Sequence, residues 1–437
     1  MKAHPIIERL RGHDPVSRFG FVRAIGGGSI EADGPGVAPG SICTVEAAPG
    51  STCGVIEAEV IRVDRQGIVL APFRDAPTFV GARVTLSGSD QMVQVGDAFL
   101  GRAVDAFGRP IDGAGPIRAA ATSPLHPNLP SPLERTSPHR VLETGLRAID
   151  GCLTLGVGQR VGIFAPSGAG KTTLITRISR HTQADVTVMC LVGERGREVE
   201  AIWSELTGKS GSPIALVAAT SDEAASLRVR AAHYAMSLAH HWRAQGRHVL
   251  LIVDSVTRLA MAMRELGLAA GEPPTIRAYT PGVFAALPRF VERCGALRAG
   301  GAITAVMTVL SESEEIDDPI CELMKSVLDG HILLSRRLAE KGHFPAIDLP
   351  RSVSRQASDL LPAEHDRAAR RVRSWISDYE DARTLIETGL YAAGASEEVD
   401  IAIRKRSLID AFLRQEAAEV SALRQTASAL EILGAPA

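Results

Sequence analysis

Residues Ala165 to Thr173 read APSGAGKTT and follow directly on the apolar run Val161, Gly162, Ile163, Phe164. A strand that runs into a Gly-rich turn and then a helix points successive backbone N–H groups into one concave nest, and the helix adds the positive end of its dipole. That arrangement cradles phosphate. Gly168 and Gly170 permit the turn, with Ser167, Ala169 and Thr173 completing the loop. Lys171 is placed to reach the β and γ phosphates, and Thr172 offers its hydroxyl to Mg²⁺. Such a string arises by chance in a chain of this length at a frequency on the order of a few per cent. Its position between a strand and a helix therefore supplies the specificity. Lysine is not the default here, since only six of the 48 Lys and Arg residues are Lys. The chain is expected to bind a nucleoside triphosphate.

At 437 residues the chain has room for two or three domains. Its net charge of −2 argues against a general polyanion binder. Arginine dominates the basic residues, so a single arginine carries little weight. Cys43, Cys53, Cys152, Cys190, Cys294 and Cys321 are scattered without a CxxC pair. That pattern fits reduced thiols in a cytoplasm better than a disulfide framework or a zinc site. The opening MKAHPIIERLRGHDPVSR carries early charges and no apolar core, so neither a signal peptide nor a membrane span is expected.

From about Ser17 to Val95, short apolar stretches such as Val55 to Val63 and Gly67 to Ala71 alternate with Gly and Pro turn signals. They predict a small barrel or sandwich. The connector Ser123 to Pro138, SPLHPNLPSPLERTSP, is too Pro-rich for regular helix or inner strand and is expected to run extended between domains. From Gly145 to about Arg355, apolar strands at Val186 to Val192, Ile214 to Ala218, Val249 to Val253, Ile303 to Leu310 and Ile332 to Leu334 alternate with helical patterns. This predicts an α/β domain with a mostly parallel sheet covered on both faces. From about Asp359 to Leu433, apolar residues recur at helical spacing among many charges, which predicts a helical C-terminal domain.

Two further strand ends carry chemistry. His248 to Asp254, HVLLIVD, is an apolar strand closed by a carboxylate, the pattern that holds Mg²⁺ in P-loop enzymes. Gly193 to Glu198, GERGRE, also follows an apolar strand. Strand ends on one edge of a parallel sheet converge on the ligand crevice. Glu194 would then orient and polarise an attacking water, and Arg195 or Arg197 would offset charge.

Together with GLRAIDGCLTLGVGQRVGIF (from Gly145), GERGRE, DSVTRLAMAMRELGLAAGEPP (from Asp254) and LDGHILLSRRLAEKGHFPAIDLPRSVSR (from Leu328) resemble the hexameric ATPases of type III protein export, relatives of the ATP synthase catalytic subunit. The resemblance is specific from about Gly96 to Arg355 and looser on both flanks. It implies an N-terminal β-barrel domain at 1–95, a RecA-like P-loop domain at 96–355 that includes the connector 123–138, and a C-terminal helical domain at 356–437. It further implies ATP as substrate, with Lys171 and Thr172 on the phosphates and Mg²⁺. Glu194 becomes the catalytic carboxylate, and Asp254 the acidic residue of the Mg²⁺-holding strand. Arg195 and Arg258 match positions near the phosphates, and Phe344 aligns with a residue, more often Tyr, that stacks on adenine. Arg355 matches an arginine that reaches into a neighbour's site.

The same resemblance implies a homo-hexameric ring on the cytoplasmic face of the inner-membrane export gate, peripheral to the membrane. A central stalk, export substrates and chaperones would be its partners, with no nucleic acid. A dimeric stator-like regulator would bind an N-terminal helix presenting Ile6, Ile7 and Leu10. Pro166, where relatives commonly have Gly, and Thr172, where many have Ser, are departures that leave the phosphate contacts intact. The flagellar form is favoured over a virulence or symbiosis secretion system. A Rho-like RNA translocase shares the fold, but the N-terminal region lacks the aromatic platform that single-stranded nucleic acid stacks on. An inactive nucleotide-binding subunit would typically lack Glu194.

Overall fold

The computed structural model describes residues 18–88, 91–207, 213–311 and 318–435. The segment carrying Ile6, Ile7 and Leu10 lies outside them. The chain divides into two compact units, one built from the first 92 residues with 223–229 and 262–283, the other from the remainder.

The first unit holds a closed antiparallel barrel. Its strand order is Phe19–Gly26, Ser29–Ala32, Gly67–Pro72, Val55–Asp64, Ile42–Glu46 and Arg83–Gly88, with the last pairing back onto the first. Of the two expected forms, the closed barrel is the one found. Side chains alternate across each strand, so Ile56, Ala58 and Val60 point inward with Val22, Val45, Leu70 and Val84. Gly67 turns one hairpin at φ 136°, and a Cβ there would fall 2.0 Å from the carbonyl oxygen of Ala32, so only glycine fits.

The second unit carries the predicted mostly parallel sheet. Across it lie Val353–Ser354, Gly330–Leu333, Arg160–Ala165, Ala302–Leu310, His248–Asp254, Val186–Val192, Ile214–Ala219 and Arg102–Val104. The central strands Val186–Val192 and His248–Asp254 are buried along their whole length and mostly apolar, as strands covered on both faces are. The short strand Arg102–Val104 extends the parallel sheet, while Val353–Ser354 pairs antiparallel with Gly330–Leu333 at one edge and Gly295–Leu297 pairs antiparallel with the start of Ala302–Leu310. Within the Pro-rich connector, Arg135–Thr136 forms a short outer strand against Gly295–Leu297, as an extended segment that is no inner strand can. Edge pairing of this kind needs few N–H donors, which is why a Pro-rich segment tolerates it.

Three long helices, Ala363–Glu387, Glu397–Leu413 and Leu423–Leu433, pack on one another and on the short helix Arg147–Cys152. Val372, Trp375, Ile409, Phe412 and Leu430 share one buried core with Ile149, Ile175 and the sheet. Among the described residues no helix is long and apolar enough to cross a membrane.

Acid stability should follow from the imidazoles of this second unit. Burial pushes His248 down to about 4 and His240 down to about 3, and holds His233 well below its ordinary value. These rings stay neutral in the folded protein while the unfolded chain takes up protons below about 6.5. Their stabilisation is therefore complete above about pH 6.5 and is lost as the pH falls toward 4. Asp150, pushed up to about 6 by burial, acts in the opposite sense between about 6 and 4. Three imidazoles outweigh one carboxyl, so the melting temperature is expected to fall steadily from pH 7 to pH 5. A flat or rising profile in scanning calorimetry would contradict this.

Candidate active site

The candidate site is assembled at the C-terminal edge of the parallel sheet. Hydrogen bonding sets Ile163 beside Thr308, Val253 beside Met307 and Leu191 beside Asp254. The residues that leave these strands therefore emerge together: Pro166, Glu194, Asp254 and Ser311. After Ala165 the chain turns through Gly168 and Gly170, both left-handed at φ 81° and 86°, and enters the helix Lys171–His181. Side chains with a Cβ rarely adopt that conformation. Ala169 is buried beneath the turn, whereas Ser167, Thr172 and Thr173 face solvent.

The lysine ammonium joins two carboxylates from different strands. Its Nζ lies 3.3 Å from Glu194 Oε1 and also donates to Asp254 Oδ1, which is 83 positions away in the chain. Arg258 Nη2 reaches Glu194 Oε2 at 3.3 Å, and Thr308 Oγ1 donates to Asp254 Oδ1 at 2.6 Å. Gly193 makes room for this, because its own Cβ would meet Arg258 Cδ at 3.0 Å. Glu194 and Asp254 are only 3% and 1% exposed. Burial raises the Glu194 carboxyl above its ordinary value, Lys171 and Arg258 pull it back, and Asp254 adds to the rise. Two anions so close are tolerable only because two cations sit between and beside them.

Beside the turn opens a cavity of about 410 Å³. It is lined by Gly170, Thr173 and Arg177 from the turn and its helix, by Phe344 to Ala346, and by Arg414 to Ala417. Phe344 is 46% exposed and lies against Gly170, where an added Cβ would be 3.6 Å from its ring. A volume of this size suits a small-molecule site.

The remaining sequence-derived residues are placed differently. Arg195 extends into solvent, 66% exposed, with Glu198 at 4.0 Å, and Arg197 is exposed on the following helix. Arg355 is not brought to Lys171 within the chain. It follows Val353–Ser354 at the sheet's other edge, where its N–H donates to Asp329 O at 3.0 Å and its Nη2 to Lys325 O at 3.1 Å. Ser354 is level with Gly330 and hence with Val161, roughly five residues or about 17 Å below the loop.

Two contacts at the site go beyond the sequence-derived set. Thr308 is one of two hydroxyls, with Thr304, in the strand Ala302–Leu310, so the sequence marks the pair but does not single out the one at the site. Arg336, which donates to Ser167 O at 3.2 Å, has no comparable signal. Among the described residues no group of three or more His, Cys, Asp or Glu side chains is arranged to hold a metal unaided.

Comparison with known proteins follows the same outline. Residues 145–354 match the nucleotide-binding domain of the ATP synthase alpha/beta family, and 361–431 match the T3SS EscN ATPase C-terminal domain. A flagellum-specific ATP synthase of Bacillus subtilis (strain 168) is 40% identical over 99% of both chains. A type 3 secretion system ATPase of Xanthomonas euvesicatoria is 41% identical over 95% of this chain and 93% of its own. The chain belongs to the type III export ATPase family. A solved structure of the assembled ATPase EscN with its central stalk EscO, from enteropathogenic E. coli, superposes with a TM-score of 0.84 at 39% identity, covering 95% of this chain and all of that one. As a member of the type III export ATPases, the protein is an ATP-hydrolysing enzyme of protein export. The three-part reading of barrel, parallel-sheet domain and C-terminal helices agrees with that family's fold.

Proposed function

We propose that the cluster around Lys171 is the hydrolytic centre of a ring-forming export ATPase. The observation that carries this reading is the lysine ammonium at the mouth of the phosphate loop, held between the buried carboxylates of Glu194 and Asp254. In this reading the loop Ser167 to Thr173 wraps the phosphates and Lys171 exchanges its carboxylate partners for β and γ oxygens. Glu194 orients the attacking water and accepts its proton. Arg195 and Arg258 offset charge near the phosphates, and Phe344 stacks on adenine. Preorganised charges of this kind act mainly by electrostatic stabilisation of the transition state.

The Thr172 hydroxyl and the Asp254 carboxylate are hard oxygen donors that suit Mg²⁺. The lack of a larger carboxylate cage among the described residues suits an ion that takes much of its coordination from substrate phosphates and water. When bound, Mg²⁺ neutralises charge on the phosphates.

Arg355, set away from its own phosphate loop, completes the site of a neighbouring subunit. That requires assembly, and the assembled EscN structure with its central stalk supports a homo-hexameric ring around a stalk protein. We take the domain limits as barrel 1–95, nucleotide-binding domain 96–355 and helical domain 356–437, a division that the family matches over 145–354 and 361–431 support. We place the ring at the cytoplasmic face of the export gate, peripheral to the inner membrane. A dimeric regulator binds its N-terminus, and export substrates and chaperones dock on it. The flagellar system is preferred, and a secretion system aimed at host cells is the second reading, since relatives from both are 40% and 41% identical.

Lys171→Ala tests the centre. Removing a charged hydrogen-bond partner of the phosphates should weaken ATP binding by about 10- to 100-fold. Titration calorimetry that returned an unchanged affinity would exclude the assigned contact. Deleting the gene should abolish filament assembly under the flagellar reading. A motile deletion strain that fails to secrete host-directed proteins would decide for the second.

A further inference from the structure

Part of the cavity lining, 414–417, comes from a segment more than two hundred positions away from the phosphate loop, and the structure shows what holds it there beside Phe344. Arg177 lies on the phosphate-loop helix Lys171–His181 and is only 6% exposed. Its Nη1 donates to Gln415 O at 3.3 Å and its Nη2 to Glu419 O at 2.8 Å. Gln415 is itself buried. Its amide nitrogen donates to Gly145 O at 2.8 Å, its Oε1 accepts from the Arg147 N–H at 3.0 Å, and its backbone N–H donates to Phe344 O at 2.9 Å. The loop helix, the segment 414–417 and Phe344 are thus joined through one guanidinium and one amide.

Arg177 is six residues beyond Lys171, about 9 Å along the helix, too far to touch a γ-phosphate. Its guanidinium is desolvated and bonds only to carbonyl oxygens, with the Glu419 carboxylate attracting it and Arg147 repelling it from further off, and its Nε has no hydrogen-bond partner. A methionine of similar length would fill the space without desolvating a charge, so packing alone does not call for arginine.

We propose that Arg177 is a positioning residue for the nucleobase: by fastening the Gln415 and Glu419 carbonyls to the phosphate-loop helix it fixes the segment 414–417 that lines the cavity beside Phe344, so that affinity for the base, but not phosphate chemistry, depends on it. This rests on the nucleotide reading of the cavity given above.

The test uses the full-length enzyme with ATP and with inorganic tripolyphosphate, which carries phosphates and no base, as competitor. Arg177→Met is expected to raise KM for ATP about tenfold, to lower kcat less than threefold and to leave inhibition by tripolyphosphate unchanged. Arg177→Lys, which keeps one charged donor, should recover most of the loss. If Arg177→Met weakens ATP and tripolyphosphate equally, or leaves KM unchanged, the proposal is overturned; should Arg177→Met not fold, Arg177→Lys with a KM for ATP raised two- to fivefold at constant tripolyphosphate inhibition supports it, and equal losses reject it. Failure of tripolyphosphate to compete with ATP on the wild-type enzyme would instead remove the nucleotide reading of the site itself.

Discussion

Arg355→Ala is expected to lower kcat by about 10³- to 10⁵-fold while leaving ATP binding intact. That loss corresponds to about 4–7 kcal/mol of transition-state stabilisation. The size follows from where the residue sits. Arg355 leaves the sheet at the edge opposite the phosphate loop, its guanidinium bonded to Lys325 O, and it does not meet Lys171 in its own chain. A guanidinium that serves a phosphoryl transfer from that position has to serve the site of another subunit. Reciprocal mixing tests this directly. Lys171→Ala subunits keep an intact Arg355, and Arg355→Ala subunits keep an intact phosphate loop. Each alone should be inactive, and together they should recover turnover at the interfaces where the two intact halves meet. A mixture that stays inactive, or an Arg355→Ala enzyme with full activity, would mean that each site is self-contained.

Glu194→Gln is the second large effect, a fall in kcat of about 10²- to 10⁴-fold with ATP affinity nearly retained. Glutamine preserves the shape but has one acceptor where the carboxylate has two, so it keeps the bond to only one of Lys171 and Arg258, and it cannot accept a proton. Asp254 remains as a carboxylate partner for Lys171, so the phosphate nest should survive. The pH profile adds a second readout. Burial, reinforced by Asp254 and opposed by Lys171 and Arg258, places the Glu194 carboxyl above its ordinary range. The active form is the ionised one, so kcat/KM should rise with pH through an inflection above that of an ordinary carboxylate, and Glu194→Gln should lose this limb. Turnover at the wild-type rate in the variant would remove Glu194 from the chemistry.

These two residues differ in how far local pattern alone locates them. Glu194 and Asp254 each close an apolar strand, and parallel strands deliver their ends to a common edge, so local pattern plus one topological rule brings them near the phosphate loop. The phosphate-loop motif needs less still, because its glycines, lysine and threonine lie within a single strand-to-helix turn whose path the glycines set. The position of Arg355 relative to Lys171 is not legible from residues alone. It depends on the register Val161 to Gly330 to Ser354, which a one-residue slip would change.

The same division holds for the fold. Alternating apolar residues in Val55–Asp64 suffice to predict a small β domain, since burial of every second side chain is dictated by the pleat. Closure into a barrel comes from the pairing of Phe19–Gly26 with Arg83–Gly88, which local pattern does not encode. For the helices after Pro362, periodicity gives the elements but not their partners. That Phe412 shares a core with Ile149, or that Gln415 reaches Gly145, is a matter of packing between segments far apart in the chain.

Phosphate binding, strand ends and helix type were thus determined by the sequence, because each arises from backbone stereochemistry and hydrophobic period over a few residues. The ammonium shared between two carboxylates, the placement of Arg355 away from Lys171 and the bonds of Arg177 to the Gln415 and Glu419 carbonyls were decided only by the tertiary structure. Each is a contact whose energy appears only after distant segments have been packed and dried.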